Sequence, residues 1–165
     1  MRVPISNISP PMTNADPARQ QWRALLQATA QRVEDLDAET IKVLKRRWQQ
    51  QYAAAQRPAF LWHGFSFRLH PHLVGAHAVA AYERQPVKSF LVFFEQTDWG
   101  FRCHARQLPP WAQLRELAAH GPARGRDVYL AQPQLSWVFC QTHEPDFGPY
   151  FAQARAVPSV SSGGR

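Results

Sequence analysis

Cysteine is scarce in this chain: 165 residues hold two, Cys103 and Cys140. Two thiols make no disulfide framework, so the fold has to rest on its apolar core. Long hydrophobic runs are missing as well. The longest, FLVFF from Phe90 to Phe94, is far short of the ~20 residues that a membrane-spanning helix needs. Charge is thin, at 19% of residues. Lysine is thinner still, at Lys42, Lys45 and Lys88 only, and arginine fills the other basic positions. No Gly-x-x-x-x-Gly-Lys-Ser/Thr or Gly-x-Gly-x-x-Gly loop is present to cradle phosphates. Gly-x-Ser-x-Gly, His-Glu-x-x-His and Cys-x-x-Cys are also absent, which sets aside the elbow hydrolases and the common zinc sites. The opening stretch MRVPISNISPPMTNADPA is cut by Pro4, Pro10 and Pro11 and does not read as a secretory signal, so the expected location is cytoplasmic.

What the chain has is aromatic bulk: six Trp, ten Phe and four Tyr, within a hydrophobic fraction of 45%. Its length suits one domain that buries about two-thirds of its unfolded surface without help from metal or disulfide. The expected organisation is a flexible arm over 1–15, a single domain over 16–152 and a flexible tail over 153–165. The net charge of +7 and pI of about 10.1 favour acidic partners, such as nucleic acid, an anionic protein face or a membrane surface.

Asp16-Pro17 is a helix start, with an acidic cap and a proline where no N–H is needed. Trp22, Leu25, Leu26, Thr29, Val33 and Leu36 follow at helical spacing. Asp37 caps a second helix with Ile41, Leu44, Trp48 and Tyr52 as its buried stripe. Residues 59–70 alternate in part, Phe65, Phe67 and Leu69 against Ser66, Arg68 and His70, which predicts a strand. A helix over 72–86 follows, with Val74, His77, Ala78, Ala81 and Tyr82 on one face. VKSFLVFFEQ is apolar on both faces and predicts a central strand. FRCHAR returns as a strand with Phe101, Cys103 and Ala105 inward. A short helix over LPPWAQLRELAAHG and a hairpin over 127–143 complete the pattern, with PDFGPYF as a turn and aromatic tail. The order α-α-β-α-β-β-α-β-β with two hairpins predicts an α+β fold, with a mixed or antiparallel sheet of about five strands packed by helices.

Candidate chemistry is sparse. His63, His70, His72 and His77 crowd one stretch, but their spacing lacks the paired ligands of a zinc site, so no metal and no cofactor is expected. Cys103 and His104 are neighbours that a strand would point to opposite faces. THEPDF brings His143, Glu144 and Asp146 together after the last strand, where an imidazole beside carboxylates can act as a general base. The catalytic candidates are therefore His63, His143 and Glu144. The binding candidates are Lys42, Lys45 and Arg46, a basic helix face that phosphates could meet.

FLWHGFSF at 60–67, SFLVFFEQ with FRCH at 89–104, and DVYLAQPQLSWVFCQTHEPDFGPYF at 127–151 together resemble the bacterial family called domain of unknown function 4275. The resemblance lies in Trp62, His63, Phe65 and Ser66, and in Trp137, Thr142, His143 and Glu144. It implies a cytoplasmic bacterial protein with no assigned activity. The leading functional expectation is a non-catalytic protein that binds another macromolecule through polar, arginine-rich contacts, as an immunity or antitoxin protein does, with an acidic protein face as the better target. The alternatives are nucleic-acid binding through the 42–47 helix, and a hydrolase or metal-dependent enzyme using His63, His143 and Glu144.

Overall fold

The strand at Ser89–Phe94 (β3) decides the architecture. Its last five residues are all buried, so apolar side chains leave both faces and both faces need cover. The computed structural model describes residues 16–53, 56 and 58–156. The expected arm over 1–15 and the tail beyond 156 lie outside the described residues. The order of elements is α1 (Pro17–Thr29), β1 (Arg32–Leu36), α2 (Ala38–Tyr52), α3 (His63–Ser66), β2 (Leu73–Val74), α4 (Ala76–Glu83), β3, β4 (Gly100–His104), α5 (Trp111–Ala119), a 3-10 turn at Gly121–Ala123, β5 (Val128–Ala131), β6 (Trp137–Gln141) and β7 (Tyr150–Gln153). The strands form one seven-stranded sheet, β1-β4-β3-β5-β6-β7-β2, and every pairing is antiparallel. The fold is α+β.

Alternation along the strands feeds two separate cores. Phe90, Val92, Phe94, Phe101, Cys103, Val128, Leu130 and Phe139 pack beneath α1, α4 and α5. Leu91, Phe93, Tyr129, Val138, Cys140 and Tyr150 pack beneath α2 and α3. Trp48 anchors the second core, with its ring edge-on to Phe65, Phe93 and Tyr129. Asp16 caps α1 through Ala18 N–H, and Asp37 caps α2 through Thr40 N–H, as the sequence predicts. Among the described residues no helix is long and apolar enough to cross a membrane.

Four local expectations fail. Val33 and Leu36 do not prolong α1: Arg32 to Leu36 form an edge strand paired with His104 to Gly100. Backbone pairing with β4 overrides a spacing that happens to continue the helical phase. No strand runs over 59–70. Phe60 to Leu69 instead coil through tight turns around α3, burying Phe65 and leaving Phe67 54% exposed. The expected helix over 72–86 starts at Ala76, after the two-residue β2, and Val74 and His77 are exposed. Finally, the aromatic tail is a strand: β7 pairs with β6 from Trp137↔Gln153 to Cys140↔Tyr150. With β1, β2 and β7 added and the 59–70 strand removed, the sheet has seven strands rather than about five.

Candidate functional site

The end of β3, the start of β5 and the end of β6 meet at one end of the sheet, because Phe94 pairs with Val128 and Val128 with Gln141. Just past these strand ends lie Glu95, Asp127 and His143. Asp127 has no exposed surface. Its carboxylate accepts from His143 N–H at 2.7 Å, from the His143 ring at 2.8 Å and from Gln96 Nε2 at 2.9 Å. An ionised carboxylate only accepts, so Nδ1 of His143 carries the proton and Nε2 is turned outward. Nε2 stands 3.2 Å from Glu144 Oε1. The imidazole is thus strung between a buried and an exposed carboxylate. Thr142 shapes the turn by donating its hydroxyl to the carbonyls of Glu144 and Phe147.

Glu95 lies beside this group. Its carboxylate accepts from Tyr129 Oη and, at 2.9 Å, from Leu61 N–H, which ties the aromatic turn to the sheet. Burial pushes the Glu95 carboxyl up, against the Tyr129 and Leu61 donors and Lys45, which draw it down. Burial pushes the Tyr129 hydroxyl far up, so it remains a donor.

His63 and His143 do not touch. Each presents its ring edge-on to Phe60, with centroids at 5.2 Å and 5.9 Å. His63 also stacks on Phe67 at 4.6 Å and meets Trp62 at 4.3 Å, while Trp62 packs on Phe147 at 5.6 Å and Tyr150 at 6.4 Å. The result is an aromatic and imidazole surface in which His143 and Glu144 form the charged corner. Three polar atoms of the turn, Trp62 Nε1, His63 Nδ1 and Ser66 Oγ, are buried without a partner.

Neither cysteine is a ready nucleophile. Cys140 is wholly buried, and burial pushes its thiol far above the usual range, as it also pushes Cys103, up to about 12. Among the described residues no group of three or more His, Cys, Asp or Glu side chains is placed to hold a metal ion.

The basic helix residues lie elsewhere. Lys45 is folded inward, donating to the carbonyls of Glu95 at 2.7 Å and Thr97 at 2.8 Å, and burial lowers its pKa. Lys42 and Arg46 remain exposed, Lys42 being 3.9 Å from Glu39. Sequence reasoning missed Asp127, Glu95 and Phe60. Asp127 reads as the ordinary first residue of a strand, and only the pairing of β5 with β6 places it against His143. The one available signal was the coincidence of Asp127 and His143 at the outer ends of a predicted hairpin.

A family model described as Domain of unknown function (DUF4275) matches residues 18–151. The chain belongs to the DUF4275 family. No curated protein and no solved structure matches it. The matched span of this DUF4275 chain takes in every group of the site, from Phe60 to Tyr150.

Proposed function

We propose that this DUF4275 chain is a non-catalytic, cytoplasmic bacterial protein that binds another protein, as an immunity or antitoxin protein does. The interface is the aromatic surface together with the neighbouring β2–β7 edge. One observation carries this reading. Among the described residues five large apolar side chains are exposed, and four of them, Phe67, Leu73, Val74 and Phe147, belong to this region. Phe67 rests on His63 and Phe147 on Trp62, while Leu73 and Val74 pair with Phe151 and Tyr150 of β7. Exposed aromatics held on a rigid base are efficient anchors, because little side-chain freedom is lost on binding. The net charge of +7 favours a partner with an acidic rim around an apolar centre.

The test is calorimetric titration of the full chain against the purified products of the genes adjacent to its own. One should bind, more weakly as salt rises. The double variant F67A/F147A should lose at least about tenfold in affinity, roughly 1–3 kcal/mol per anchor, with an unchanged melting temperature. Equal affinity for the double variant removes the surface. A chain that stays monomeric and binds none of these proteins counts against the immunity-like role.

A second reading rests on the Asp127–His143 pair, which fixes an imidazole tautomer as an acid–base catalyst requires. A hydrolase on this pattern would use His143 and Glu144, with His63 lying across Phe60. Nucleic-acid binding through α2 has less support, because Lys45 is engaged with backbone carbonyls.

A further inference from the structure

Beside the aromatic turn, α5 and the β6–β7 connection enclose a groove of about 410 Å³. Its walls include Trp111, Arg115, Gln141, His143, Phe147 and Pro149, and neither Asp nor Glu lines it. A volume of this size falls in the range of small-ligand sites, roughly 300–1,000 Å³. The cation is set before any ligand arrives. The Arg115 guanidinium lies over the Trp111 ring, 5.3 Å from its centroid. Trp111 is itself fixed: its indole N–H donates to Gln141 Oε1 at 2.8 Å and its backbone N–H to Glu83 Oε1 at 3.2 Å. Among the described residues no carboxylate lies within ion-pair distance of Arg115; the adjacent Glu116 stands 3.7 Å from His120 and lines, with Arg115 and Trp111, a separate groove. Arg115 is therefore a cation without an ion-pair partner, seated on the Trp111 ring in the wall of a largely apolar groove.

We propose that this groove binds a small organic carboxylate with an aromatic or branched apolar body. The two oxygens match the planar guanidinium fork, and the Phe147–Pro149 wall covers the body. Phosphate fits less well. A dianion wants a second free cation, and the one other candidate, His143, is already held by Asp127 and Glu144.

Sodium phenylacetate is the probe. Titrated into the full chain and followed at the Trp111 indole N–H resonance, it should saturate with a Kd of about 1 mM. Phenylacetamide has the same shape without the charge and should bind at least about tenfold more weakly; Arg115→Gln should weaken phenylacetate by as much. Arg115→Lys, which keeps the charge and loses the fork, should fall between. Arg115 is exposed, so these variants should melt like the parent. F67A removes an anchor of the protein interface proposed above and should leave phenylacetate binding unchanged, so the two sites fail or stand separately. A shift that never saturates, or an equal response from the amide or from Arg115→Gln, overturns the site. Phenyl phosphate binding as tightly as phenylacetate overturns the carboxylate assignment.

Discussion

Asp127 holds the most exacting position of any single residue, since it is fully buried yet serves three donors. Asparagine there has to turn an N–H₂ group toward one of those donors, leaving it unpaired. D127N should cost about 1–3 kcal/mol in chemical denaturation and release the His143 turn. Two other side chains, Glu95 beside Asp127 and His70 at the far end of β7, set opposite pH dependences. Burial raises Glu95 above its ordinary 4.5, so its contribution to stability is complete below about 4.5 and is lost as pH rises through the folded value. Glu95→Gln should remove that loss from a series of melting curves. Burial lowers His70 below its ordinary 6.5, while its ring donates from Nε2 to the Gln153 carbonyl at 2.8 Å. The stability it contributes is present above about 6.5 and is lost as pH falls through the folded value. Melting temperature should therefore drop less on acidification in His70→Gln than in the parent; an equal drop would show that His70 is not the titrating group. None of these roles was legible in the sequence, because an isolated Asp, Glu or His carries no mark of what the fold will set against it.

At the scale of elements, the turn around α3 depends on Gly64. A Cβ there would lie 2.7 Å from the Tyr52 carbonyl oxygen and 3.2 Å from Ala53 Cβ, both at the end of α2. Backbone cannot move aside cheaply, so G64A should destabilise by about 1–3 kcal/mol and shift Trp62 and His63. Near-ultraviolet circular dichroism would register the displaced indole; an unchanged spectrum and stability would mean that α3 floats free of α2. This turn is where the sequence misled. Phe65, Phe67 and Leu69 alternate as in a strand, but they pair with no strand of the sheet, and Gly64 lets the chain pack against α2 instead. The edge strand β1 misled in the opposite sense, since Val33 and Leu36 keep the helical phase of α1. The elements read correctly, α2 and β3 above all, have long patterns and unambiguous caps, so local chemistry and tertiary packing agree.

For the molecule as a whole, both thiols lie in the cores, Cys103 beneath α1 and Cys140 beneath α2. Reaction with a thiol reagent should therefore track global unfolding, slower than in denaturant by about a thousandfold or more, with both cysteines labelled together. Rapid labelling of one alone would show that its core opens locally. The aromatic residues, the two-sided apolar run at Phe90–Phe94 and the capped helices determined from the sequence alone that this is an α+β chain with a covered central strand. Short-range physics suffices for that, because caps, turns and periodicity are local. The sequence also held every group of the candidate site, with His143 beside Glu144 and Trp62 beside His63. Only the tertiary structure decided that Asp127 orients His143, that Phe60 separates the two histidines, and that Phe67 and Arg115 are exposed. Those outcomes depend on strand order and on which surface lacks a covering element, and both are set by packing between segments far apart in the chain.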